Sequence, residues 1–146
     1  MSLLVERKIP QDILEDSVLA HVAAAYFAMG KRLELKTQCS ATRGFILSTF
    51  RGGAELNQNQ IATLLGFDRT VVHRAIKILI KDRLVSEKKA KTGRAFRLHL
   101  TEKGEKYRRG LIQARREADE KLRRALTPIE RTTLLRLLTL IANLEF

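Results

Sequence analysis

A chain of 146 residues, 45% of them hydrophobic, is long enough for one compact domain whose core needs neither disulfides nor metal. The single cysteine, Cys39, cannot form an internal disulfide, and His21, His73 and His99 share no ligand spacing with it or with one another, so neither a metal site nor a cofactor is expected. No stretch approaches the roughly 18 apolar residues of a membrane span, and the N-terminus lacks a basic-then-apolar leader pattern; the expectation is a soluble, cytoplasmic protein.

The formal charge is +12, and its distribution is uneven. Residues 68–109 carry 14 Lys/Arg against 5 Asp/Glu, whereas residues 1–67 carry 7 against 6 and residues 110–146 carry 7 against 5. A basic but merely solvated surface would spread the excess more evenly. Concentration in the middle third points to a polyanionic partner, bound with release of counterions from its phosphates.

From Gln11 to about Leu35, apolar residues recur at helical spacing (Ile13, Leu14, Val18, Val22, Ala25, Tyr26, Met29, Leu33), predicting a long amphipathic first helix. Ala41 to Phe50 reads as a second helix, broken by Gly52-Gly53. A third is expected from Asn57, where Asn57 and Gln60 have capping-box spacing; Ile61, Leu64 and Leu65 would face inward until Gly66 ends the helix. Asp68 is placed to cap a fourth helix through Val71, Val72, Ala75, Ile76 and Leu79 to about Arg83. Its separation from the third by two or three residues predicts a steep crossing, the geometry of a helix-turn-helix.

Leu84–Lys89 and Ala95–Leu100 read as strands, the second alternating Phe96, Leu98 and Leu100 on a buried face with Arg97 and His99 on the other. The short polar link between them makes a hairpin, or wing, with Lys88, Lys89, Lys91 and Arg94 around its tip. Thr101 is expected to cap a fifth helix through Tyr107, Leu111, Ala114, Ala118 and Leu122, with Arg115, Arg116, Glu117 and Glu120 on a charged face. Thr127-Pro128-Ile129-Glu130 combines cap, first-turn proline and returning glutamate, starting a last helix through Leu134, Leu135, Leu138, Ile141 and Leu144.

At about 100° per residue, the fourth helix aligns Arg69, His73 and Lys77, with Thr70 and Arg74 beside them. Such a ridge suits the major groove of B-DNA: Arg bonds guanine bidentately, His or Thr reaches base edges, and Lys holds phosphate. For an isolated helix, a solvated face would be the simpler explanation. The tight preceding turn, the basic wing and the clustered charge together favour DNA.

The run Leu56-Asn-Gln-Asn-Gln-Ile-Ala-Thr-Leu-Leu-Gly66, then Asp68-Arg-Thr-Val-Val-His-Arg74, Leu84-Val85, Arg94 and Leu100-Thr-Glu-Lys-Gly104 resembles the winged-helix pattern of the MarR family of transcriptional regulators over roughly residues 56–104. The resemblance implies a mainly α fold with a small β-hairpin wing: a winged helix-turn-helix lobe at about 40–104, flanked by N- and C-terminal dimerisation helices in 1–36 and 105–146, all within one domain. It assigns Arg69, Thr70, His73, Arg74 and Lys77 to the major groove and Arg94 to the wing tip in the minor groove. It further implies a homodimer on a pseudo-palindromic double-stranded DNA operator, acting as a repressor that is relieved or modulated by a small aromatic or anionic ligand in the cleft between the dimerisation helices and the DNA-binding lobe. The chain departs from the family at Thr92, where an acidic residue is usual, and at Arg83, where glycine is usual.

A redox role for Cys39, near the junction of the first two helices, competes with inert packing there. His21 would line a ligand cleft or a dimer seam. No nucleophile elbow, P-loop, dinucleotide fingerprint or paired carboxylates in an apolar setting points to an enzyme. The alternatives are a basic RNA-binding or non-specific nucleic-acid-binding protein, or a winged-helix protein-interaction module. The first would call for stacking aromatics, whereas the basic segment has only Phe96, placed on the buried strand face, and Tyr107; the last would not need its positive charge.

Overall fold

The computed structural model describes residues 17–89 and 96–145. Helix α1 (Val18–Thr37) begins later than its apolar periodicity predicts, because Ser17 is extended and its hydroxyl accepts from the Ala20 N–H at 3.1 Å. Residues 11–16 of the expected first helix lie outside the described residues. Gln38, left-handed at φ 55°, closes the helix by donating its N–H to the Glu34 carbonyl. Helix α2 (Ala41–Thr49) is capped by Ser40 and gives way to a 3-10 turn over Arg51–Gly53, where Gly52 and Gly53 take φ of 62° and 75°.

Helices α3 (Gln58–Leu65) and α4 (Arg69–Lys81) follow, then strands β1 (Val85–Lys89) and β2 (Phe96–Leu100), α5 (Glu102–Ala125) and α6 (Pro128–Ala142). The strands pair antiparallel, with Val85 opposite Leu100 and Lys88 opposite Arg97. Leu56 adds a bridge that the sequence does not announce: its N–H and carbonyl both bond to Leu98, at 3.0 and 2.7 Å. The segment entering α3 is thereby fastened to the root of the hairpin.

One core joins these elements. Ile46, Leu47 and Phe50 of α2 and its C-cap meet Ile61 of α3, Val72, Ile76 and Leu79 of α4, and Leu84, Val85 and Leu98 at the hairpin root, nearly all without solvent contact. Each such aliphatic side chain contributes about 1.5–3 kcal/mol by leaving water. Helix α5 enters this core at Leu111 and crosses α1, where the Tyr107 hydroxyl donates to the Thr37 carbonyl at 3.0 Å and Lys36 pairs with Glu117.

Three inward assignments from the sequence and one outward assignment are corrected. Leu64 is 65% exposed, since the eight-residue α3 turns Ile61, Ala62 and Leu65 to the core and Leu64 away from it. Val71 is exposed although Val72 beside it is fully buried. Phe96 is exposed because it pairs with Lys89 at the far end of the hairpin, beyond the helices that cover Leu98. His99, expected on the polar side of β2, is half-buried, and its Nδ1 is shielded without a hydrogen-bond partner among the described residues. No described helix is long and apolar enough to cross a membrane, and no described group of three His, Cys, Asp or Glu could hold a metal ion.

Candidate nucleic-acid interface

Two capped helix starts fix the helix-turn-helix. Asn57 Oδ1 accepts from the Gln60 N–H at 2.8 Å, and Gln60 Oε1 accepts from the Asn57 N–H at 2.9 Å, satisfying two free donors reciprocally. Gly66, at φ 65°, ends α3, and Phe67 then packs against the core with its ring edge-on to Phe45. Asp68 opens α4 by accepting from the Thr70 and Val71 N–H groups at 2.7 and 3.4 Å. These bonds, chiefly those with Thr70, hold the Asp68 carboxyl below the usual carboxylate range, with a further contribution from the Arg74 charge.

Val72, Ala75, Ile76 and Leu79 fasten the opposite side of α4 into the core, so its outer face is determined by burial. Arg69, Thr70, His73, Arg74 and Lys77 are all exposed on that face, joined by Lys81 in the last turn. His73 Nδ1 lies 3.1 Å from Gln58 Oε1, tying α4 to the first turn of α3. Among the described residues, no carboxylate forms an ion pair with Arg69, Arg74, Lys77 or Lys81. Within the described residues the ridge therefore presents cations that have no ion-pair partner.

The hairpin continues this charge. Lys88 and Lys89 are exposed on β1, and Arg97, opposite Lys88, donates from Nη1 to the Glu55 carbonyl at 3.4 Å. Like charges directly opposite one another cost stability in a hairpin, an arrangement useful where an anion is to be held. Lys91 and Arg94, with Thr92, lie outside the described residues. Arg97 was missed as a contributor because alternation along β2 reads it only as a solvent-facing residue.

A second feature lies between α1, α2 and α5. A cavity of about 220 Å³ is walled by apolar side chains including Tyr26, Met29, Leu33 and Leu111. Arg115, expected on the charged outer face of α5, turns inward: its guanidinium lies 5.3 Å from the Phe45 ring centre and donates to Ser48 Oγ at 2.9 Å. No described carboxylate pairs with it. The sequence did contain the signal, since at about 100° per residue Arg115 falls about 40° from Leu111 and about 20° from Leu122, within the apolar stripe.

Cys39 also borders this cavity and is buried. Loss of water pushes its thiol above the ordinary range, only partly opposed by the neighbouring Tyr107 hydroxyl and the nearby Arg43 charge. A neutral buried thiol is a poor nucleophile, which favours the packing role over the redox one. His21 faces a larger open groove of about 1480 Å³ between α1, α5 and α6, with its Nδ1 2.9 Å from the Ser17 carbonyl oxygen.

Solved structures share this fold. MepR of Staphylococcus aureus, in complex with DNA, superposes with a TM-score of 0.77 at 18% identity over 86% of this chain and 96% of its own. A MarR protein from Peptoclostridium difficile gives 0.76 at 20% identity over 87% and 86%. The fold is the MarR-type winged helix. BpsR of Bordetella bronchiseptica, whose DNA binding is regulated by 6-hydroxynicotinic acid, matches at 0.73 and 16% identity over 89% and 96%. No family model matches the sequence, and a search of the curated proteins finds no match. The MarR-type likeness thus covers the flanking helices as well as the lobe at 56–104 from which the sequence motifs come.

Proposed function

We propose that the chain is a non-catalytic, cytoplasmic transcriptional regulator that binds double-stranded DNA sequence-specifically as a homodimer. The observation that carries this reading is the cationic ridge of α4, exposed beside the lysines of a hairpin and anchored from behind by core burial. Arg69, Thr70, His73, Arg74 and Lys77 enter the major groove, while Lys88, Lys89, Lys91 and Arg94 hold the adjacent backbone and minor groove. The lobe at about 40–104 binds DNA, and the segments 1–36 and 105–146 carry the dimer contacts. Support from similar folds comes from MepR, which is seen on DNA.

The cavity between α1, α2 and α5 is the ligand site of this regulator. Its apolar walls suit a small aromatic body, and Arg115 supplies the cation for an acidic group. Because the cavity touches both α1 and α2, occupation alters how the flanking helices sit against the lobe, and so the spacing of two recognition helices. BpsR, regulated by 6-hydroxynicotinic acid, is a parallel of similar fold.

Selection from a randomised duplex pool, at about 150 mM salt to suppress non-specific binding, tests the reading. Enrichment of a pseudo-palindrome with half-sites about 10 base pairs apart is expected. Failure to enrich any sequence, with tighter binding to RNA than to duplex DNA, would favour a nucleic-acid-coating protein.

A further inference from the structure

Two adjacent valines in α4 part ways. Val72 is fully buried, whereas Val71 is 44% exposed. Val71 sits one helical turn before Arg74, about 60° around the helix from it, and next to Thr70. It is the third residue of α4, and its N–H lies 3.4 Å from Asp68 Oδ1 in the cap. The N-terminal residues of a recognition helix are those that reach base edges. An apolar group at the Arg74 edge of a polar, cationic reading face has one apolar counterpart in the major groove, the C5-methyl group of thymine. A β-branched side chain in a helix is held almost entirely in one χ1 rotamer, so the two methyls of Val71 are fixed in direction before DNA arrives.

We propose that Val71 is a specificity-determining residue that packs against a thymine C5-methyl in each half-site, next to the base edge bonded by Arg74. The assignment rests on the DNA-binding reading above and adds to it a specific base feature. Ile78 has the same fractional exposure, 44%, but lies two turns further on, about 10 Å along the axis, outside the reach of the helix start.

The test uses the full chain and the duplex obtained by selection, with each thymine replaced in turn by deoxyuridine, which removes only the methyl. Affinity is read by fluorescence anisotropy for the wild type, Val71→Ala and Ile78→Ala. At one thymine per half-site the wild type is expected to bind the uracil duplex about fourfold more weakly, the effect of one methyl withdrawn from an apolar contact. Val71→Ala should bind both duplexes equally, and Ile78→Ala should keep the wild-type difference. Val71 is exposed, and circular dichroism of the variant checks that the fold is retained. If the wild type prefers the selected duplex to a shuffled one, yet no thymine is methyl-sensitive or the sensitivity survives in Val71→Ala, the assignment is overturned. A wild type without preference over the shuffled duplex overturns the regulator reading, and the Val71 assignment with it.

Discussion

A Cβ added at Gly104 would collide with the carbonyl oxygen of Leu84, where the first turn of α5 presses on the strand entry. Backbone cannot yield as a flexible side chain does, so Gly104→Ala should lower unfolding free energy in urea by about 3 kcal/mol. Arg83 has the opposite character. It holds φ 59° after α4, where the MarR pattern has glycine, so Arg83→Gly should raise stability by about 0.5–1 kcal/mol in the same assay. On the reading face, Arg74→Ala should reduce discrimination between selected and random duplexes. Lys88→Ala should weaken both alike and lower the slope of log affinity against log salt by about 1. Equal behaviour of the two variants would contradict their roles. The outward placement of Arg74 was legible in the sequence because the alternation of core and ridge along α4 is strong. That of Val71 was not, because a valine at the edge of an apolar stripe is ambiguous until the packing of its neighbours is known.

Among elements, the helix starts are where sequence and structure agree most closely, since a cap is a local device: Asn57, Asp68 and Thr127 each accept a backbone N–H at the expected helix. The carboxyls of Asp68, Glu105, Glu117 and Glu130 are all held below the usual range, by hydrogen bonds before all else. A carboxyl depressed by folding stabilises the native state above its unfolded pKa, and that contribution is lost as pH falls through the lower, folded value. The thermal midpoint should therefore hold between pH 7 and about 5 and fall below about 4, with a smaller fall in Asp68→Asn, which keeps a capping oxygen but does not titrate. Helix α5 was the harder element to read. Arg115 lies on its apolar stripe, but a lone arginine among charged neighbours is assigned to solvent unless the facing helix supplies a ring and a hydroxyl. If the proposed cavity takes an aromatic acid, Arg115→Met should abolish thermal stabilisation by benzoate while leaving DNA affinity without ligand unchanged.

For the whole molecule, the balance of apolar surface is the telling feature. Helix α6 has no buried residue, and Ile129, Leu135 and Leu140 are each more than half exposed, as are Leu19 and Phe27 on α1. Apolar surface on this scale at both ends of the chain fits the homodimer proposed above, which covers it with a second copy. In sedimentation at micromolar concentration the chain should run at twice its own mass, and Leu135→Asp with Leu138→Asp should give a folded monomer. The lobe between the flanking helices could be read from sequence because its contacts lie within about fifty residues of one another. The arrangement of α1, α5 and α6 depends on contacts across the length of the chain and, in the proposed dimer, on another chain.

The central claim, paired recognition helices reading one DNA site, is tested most directly by inserting about five base pairs between the half-sites of the selected duplex, which moves one half-site to the opposite face of the helix. Affinity should then fall to the level of shuffled DNA at the same salt. Unchanged affinity after the insertion would contradict that claim.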